Sequence, residues 1–182
     1  QFSLTSHSIA KCREAVTHLD SLRNSDGTLT RPFTPRELQW IRNERLVVKC
    51  NLKYYLTRYF YIKSDLGGDG ERTILFPPNL PQLMAIDGWA EDELRGVAIA
   101  DAFLKVRQVG ISTLIQGALS QRALFYPNVN GLILSSDPDK TREMAGMILY
   151  AIDRLPYWLV PPDLQTFQSG ETLLEVPSAD SA

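Results

Sequence analysis

The sequence predicts an α/β fold: a parallel sheet flanked by helices, preceded by a small helical subdomain and incomplete at the C-terminus. Three observations predict it. Val97 to Ala100 and Ala102 to Leu104 are short apolar runs of buried-strand type. Thr113 to Tyr126 carries Leu114, Ile115, Ala118, Leu119, Arg122 and Phe125 at helical spacing, and Pro127-Asn128 stops it. Leu132-Ile133-Leu134 is another apolar run, following Asn130-Gly131. Strand, helix and strand within about 35 residues form a βαβ unit, whose normal product is a parallel sheet.

The other elements follow in chain order. Residues 1 to 31 are polar and short-patterned, with a short helix expected over Ser8 to Leu22, a turn at Asn24-Ser25-Asp26-Gly27 and an extended link at Arg31-Pro32. Thr34-Pro35-Arg36-Glu37 combines a capping box with proline at the first helical position, a strong start signal. From there Leu38, Ile41, Arg45, Val48, Leu52, Tyr55 and Tyr59 recur at spacings of three and four. They form one apolar stripe on a long helix, or on two abutting helices with Asn51 as the break. Lys49, Lys53, Arg58 and Lys63 are interleaved with Tyr54, Tyr55, Tyr59, Phe60 and Tyr61. Such a mixture can stack on a nucleic acid. The helical period of the aromatics favours core packing instead, with the basic side chains reaching out to water. Gly67-Gly68-Asp69-Gly70 marks a boundary between a helical lid or docking subdomain, residues 1–66, and the α/β core, residues 67–182. Near the end, a helix starting at about Pro138 is broken by Pro156, Pro161 and Pro162, with Tyr157 and Trp158 anchoring the loop. Thr166-Phe167-Gln168 and Thr172 to Val176 flank Ser169-Gly170 as a tight hairpin.

Composition bounds the function. The chain has 182 residues, 44% of them hydrophobic, enough for one core that buries ~70% of the unfolded surface. A formal charge of −2 gives no overall polyanion-binding signature, so any nucleic-acid contact must be a local patch. Cys12 and Cys50 have no metal-ligand spacing and read as reduced thiols in a cytosolic setting; His7 and His18 do not suggest a zinc pair. No apolar run approaches a membrane span and no signal-peptide pattern opens the chain, which begins without Met, as a processed or excised piece would.

The chemistry concentrates in KVRQVGIST, residues 105 to 113. A phosphate-binding loop reads G-x-x-x-x-G-K-[ST]: backbone N–H groups wrap the phosphates, a lysine reaches the β/γ oxygens and the hydroxyl holds Mg²⁺. Here Lys105 stands for the first glycine, Gly110 keeps the second, Ile111 replaces the lysine and Ser112 keeps the hydroxyl. A loop curled around a triphosphate brings its first residue close to its last, so Lys105 can reach the same oxygens. Arg107 adds a second cation able to clamp a phosphoryl group. Gly110 and Ser112 fall at the expected helix N-terminus, where free N–H groups and the macrodipole favour an anion. The fold expectation narrows to a P-loop NTPase-type sheet, with ATP and Mg²⁺ held by Lys105, Val106, Arg107, Gln108, Val109, Gly110, Ile111, Ser112 and Thr113, and Ser112 on the metal. The competing reading makes Lys105 and Arg107 a solvated strand end and Gly110 an ordinary turn glycine.

KVRQVGISTL, then a helix, then GLILSSDPDKTREM, resembles the ATPase region of large terminase subunits, the motors that package viral DNA into procapsids. Members of that family carry an R-Q-x-G-x-[ST]-T loop, and one branch places its lysine at the start of the loop. YLTRYFYIKS and ILFPPNLPQLMAI resemble the family's aromatic-rich entry segment and its adenine-contacting glutamine motif, so the likeness spans residues 54 to 182. It implies ATP hydrolysis driving the packaging of double-stranded DNA, with Gln82 on the adenine edge and Phe76 or Pro78 near the ring. Arg107 would meet charge that grows in the transition state. Ser135-Ser136-Asp137, with Lys140 and Arg142 beyond, would face the DNA. Implied partners are a portal, a small terminase subunit and further copies of the chain, in the host cytoplasm. One departure is large: no apolar strand ending in Asp-Glu follows residue 113. Asp137 precedes Pro138, Asp180 has no apolar run beside it, and no nuclease cluster is present. The chain is therefore expected to stop short of its catalytic acid and to hydrolyse ATP weakly or not at all. Two other classes remain, a helicase-like P-loop translocase and a non-hydrolysing docking module.

Overall fold

The computed structural model describes residues 6–64, 72–103, 109–129, 131–134, 137–161, 164–168 and 172–175. Helices α1 (Ser6–Asp20), α2 (Pro35–Cys50) and α3 (Leu52–Arg58) are followed by strands β1 (Tyr61–Ser64) and β2 (Arg72–Leu75). Helices α4 (Leu80–Arg95), α5 (Ile111–Phe125) and α6 (Pro138–Ile152) come next, then strands β3 (Gln165–Gln168) and β4 (Thr172–Glu175).

The local start signals act as chemistry requires. Thr34 accepts the Glu37 backbone N–H while the Glu37 carboxylate returns to the Thr34 backbone, and Pro35 occupies the first turn of α2. Asn51 breaks the long apolar stripe and caps α3, its side-chain oxygen accepting from the Tyr54 N–H at 2.9 Å. The last carbonyls of α2 would be orphans at this break. Gln121 Nε2 donates to Val48 O at 2.6 Å, and Tyr126 Oη donates to Lys49 O at 2.9 Å, so α5 completes α2.

The expected parallel sheet is not formed among the described residues. Strand pairing among the described residues is antiparallel throughout: β1 with β2, β3 with β4, and a single bridge between Arg23 and Leu29. Residues 97–103 and 131–134 are not strands, and Val97, Leu132 and Leu134 are 54%, 77% and 81% exposed; Leu104 lies outside the described residues. The physical reason is competition for cover. A parallel strand must be buried on both faces, and the inner face of α5, the would-be crossover helix, is already taken by α2 and α3. A run of three or four apolar residues does not by itself distinguish a strand from exposed coil. The hairpin expected at the chain's end is present, pairing Phe167 with Leu173; its Ser169-Gly170 turn and Val176 lie outside the described residues.

The core is helical and aromatic. Tyr55, Leu56, Phe60, Val48, Leu114 and Leu159 are fully buried, and the core draws on residues from Leu19 to Leu159, on both sides of position 66. Tyr55 meets Phe125 edge-on at 5.8 Å, Phe60 meets Phe76 at 6.0 Å, and Tyr59 meets Trp158 at 6.3 Å. The aromatics of α3 are thus core, as their period implied.

Burial pushes the Tyr54 and Tyr59 hydroxyls far above the ordinary tyrosine range, followed by contact with Cys12 and Glu44 at Tyr54 and with Glu44 at Tyr59; burial does the same to Tyr55. Their raised folded-state values contribute stability that is fully present below the unfolded value, near pH 10. Above it the unfolded chain ionises first, so stability falls as pH rises. In an alkaline titration, the tyrosinate absorbance of these three should appear together with loss of helical circular dichroism. Ordinary titration of all seven tyrosines with helix content intact would show that the three are solvated.

Candidate functional site at the start of α5

Gly110 has φ +72° and ψ 17°, the left-handed conformation open chiefly to glycine, and α5 starts at the next residue. Gly110, the N-cap residue, has no side chain to cap this N-terminus, although its carbonyl takes the Leu114 N–H at 3.1 Å. Ile111, where a phosphate loop usually has its lysine, is buried at 4% exposure and packs in the core. Ser112 and Thr113 are half-buried at the mouth of the helix. Lys105, Val106, Arg107 and Gln108 lie outside the described residues.

Helix α4 braces this turn. Asn79 and Gln82 form a second capping box: Asn79 Oδ1 accepts the Gln82 N–H at 3.1 Å, and Gln82 Oε1 accepts the Asn79 N–H at 2.8 Å. The same two side chains reach across the chain. Asn79 Nδ2 donates to Val109 O at 3.0 Å, and Gln82 Nε2 donates to Gly110 O at 2.8 Å and Val109 O at 3.3 Å. A Cβ at position 110 would stand 2.6 Å from Gln82 Nε2, so a side chain there, besides being disfavoured by φ, would push the Gln82 amide off the loop.

The structure therefore brings Gln82, Val109 and Gly110 together, three residues the sequence placed in one site. It also gives Gln82 a task other than base recognition. Both ends of its amide are bonded and the residue is only 2% exposed, so reading an adenine edge would require it to release the loop. Phe76 is buried against Phe60, and Pro78 is half-buried.

On the expected DNA face, Asp137 caps α6 by accepting the Asp139 N–H, and Arg142 pairs with Asp139 at 2.6 Å. Lys140 is exposed; Ser135 and Ser136 lie outside the described residues. Among the described residues, no three of His, Cys, Asp and Glu gather in a metal-holding group. A Mg²⁺ ion at Ser112 would rely on phosphate oxygens and water, the usual arrangement for that ion with nucleotides.

Two features escaped sequence reasoning. Asn79-Leu80-Pro81-Gln82 repeats the cap-to-acceptor spacing of Thr34 to Glu37, with the proline one position later, a signal that could have placed Gln82 on the inside of a helix start. Glu44 is buried beside Tyr54 and Tyr59. Its spacing from Ile41 and Val48 puts it on the inner stripe of α2, which the sequence reading assigned to Arg45. Arg45 instead donates to Trp158 O and Val160 O, both at 3.0 Å.

Among the described residues, no helix is long and apolar enough to cross a membrane. Comparisons with protein-family models, with curated proteins and with solved structures find no match to this chain.

Proposed function

We propose that residues 105–113 bind the phosphates of ATP·Mg²⁺, as part of the ATPase region of a large-terminase-like motor that packages double-stranded DNA. The observation that carries this reading is the division of labour at the start of α5. Ile111 is spent on the core, so the position that normally supplies the loop's cation cannot do so, and the cation must come from elsewhere in the loop. Lys105 and Arg107 are available in the sequence. Left-handed Gly110, which has no side chain to cap the helix that follows, leaves backbone donors and a favourable dipole for a phosphate. Further partners in this reading are a portal, a small terminase subunit and additional copies of the chain, in a host cytoplasm.

A second reading, a docking module that binds no nucleotide, is favoured by the absence of a parallel sheet among the described residues and by the commitment of Gln82 to its own chain. Titration with a fluorescent ATP analogue separates the two. On the nucleotide reading, Lys105→Ala lowers affinity at least tenfold, the loss of a charge-assisted hydrogen bond worth about 1.5–3 kcal/mol, while Ile111→Val leaves it nearly unchanged. No saturable binding by the parent chain, or equal affinities for parent and Lys105→Ala, would leave the docking module as the better account.

A further inference from the structure

The geometry points to a second binding site, remote in sequence from residues 105–113: a cleft for a single strand of nucleic acid between α1, α3 and the connection after α6. The cleft measures about 990 Å³, at the upper end of the ~300–1,000 Å³ of small-molecule sites and more than one phosphate needs. Its walls carry Arg13, Arg23, Lys53, Arg58 and Arg154 against a single carboxylate, Asp20. More than a quarter of the 19 lysines and arginines of a chain with net charge −2 are thus gathered in one place. Asp20 is already engaged by the Trp158 indole N–H at 3.1 Å. None of the five cations is in an ion pair among the described residues.

Arg58 is the most telling of the five. One of its terminal nitrogens is buried without a hydrogen-bond partner while its guanidinium lies over Tyr54, 5.6 Å from the ring centre. That nitrogen is closed off from the cleft, so a bound phosphate would meet the remaining edge of the half-buried guanidinium. The cations are also strung out rather than convergent. Arg13 lies seven residues before the end of α1, about 10 Å at 1.5 Å per residue, with Arg23 beyond it. Lys53 and Arg58 span α3 on the other wall. A row of charges suits successive phosphates better than one anion. Half-buried Tyr61 adds an aromatic ring to the same cleft, while Tyr157 is stacked on Phe33 and holds Arg23 over its ring; cations with an aromatic along a groove are what an unpaired strand uses for backbone and bases. The site stands apart from nucleotide binding at 105–113.

The test uses a labelled oligo(dT) of ~12 nucleotides, within the usual range of site sizes, and a duplex of equal length, both followed by anisotropy against salt. The strand should bind more tightly than the duplex, with log K falling against log salt at a slope of about −3.5, since each of the five phosphate contacts contributes about −0.7. Arg13 and Lys53 are exposed, so the Arg13→Ala, Lys53→Ala double variant should keep the parent's denaturation midpoint while losing at least tenfold in affinity and about 1.4 of slope. Lys105→Ala should bind the strand as the parent does. Absence of strand binding, an unaffected double variant, equal affinity for duplex, or loss of strand binding in Lys105→Ala would each overturn the assignment.

Discussion

Gly117→Leu is expected to abolish the cooperative folding of the protein, whereas Gly117→Ala should only weaken it. Helices α3 and α5 approach closely at this residue: a Cβ on Gly117 would lie 2.3 Å from Leu56 Cδ2 and 3.3 Å from Phe60 Cε1. Leu56 and Phe60 are both 0% exposed, so neither has free space to retreat into. With alanine, two effects of similar size oppose each other. Helix propensity favours alanine over glycine by about 1 kcal/mol, and overpacking costs about 1–3 kcal/mol, leaving a net loss of about 1 kcal/mol. Leucine adds four carbons to the same space, and the overpacking cost then exceeds any gain in propensity. Urea denaturation followed by circular dichroism should show a lowered midpoint for alanine and, for leucine, a loss of more than about 3 kcal/mol or no transition. A leucine variant as stable as the parent would mean that α3 and α5 do not touch at Gly117.

What the sequence disclosed and what it hid divide along the range of the interactions. Thr34 and Glu37, Asn51, Pro138 and the pair of short strands around Ser169-Gly170 were legible because each acts on its immediate neighbours. Residues 97–103 and 132–134 were not, since an apolar run becomes a strand only if a partner and cover exist elsewhere. Helix α5 shows the same limit. Its existence was plain, but the face it buries includes Gln116, Ser120 and Gln121, which no apolar pattern would select. Gln121 turns inward because the end of α2 needs a donor, and Ser120 because the buried Tyr55 hydroxyl needs a partner, 3.0 Å away. At the candidate site, the residues singled out at 82 and 109–110 do meet, yet their meeting follows from the capping box of α4. The RQVGIST pattern alone could not reveal that bond, because one of its two partners lies on another helix.

Glu44→Ala is expected to cost about 3–5 kcal/mol, the size seen when one member of a buried charged network is removed. Glu44 is 7% exposed, and its Oε1 accepts from Tyr54 Oη at 2.7 Å and Tyr59 Oη at 2.6 Å, with the Cys12 thiol 3.9 Å away. Alanine leaves two buried hydroxyls without their acceptor, each costing about 1–3 kcal/mol, and opens a cavity beneath them. Glu44→Gln keeps an acceptor oxygen in place and should lose only about 1 kcal/mol. A second measurement reads the same cluster from α1. Cys50 is exposed, whereas burial pushes the Cys12 thiol pKa up and slows its reaction. An aromatic disulfide reagent should therefore label Cys50 quickly and Cys12 slowly in the parent. Removing Glu44 takes away the acceptor that ties α1 to α2 at Cys12, so the slow phase should accelerate in Glu44→Ala under conditions where the rest of the chain remains folded. A loss below about 1 kcal/mol together with an unchanged slow phase would mean that the carboxylate faces water and that the two tyrosines have other partners.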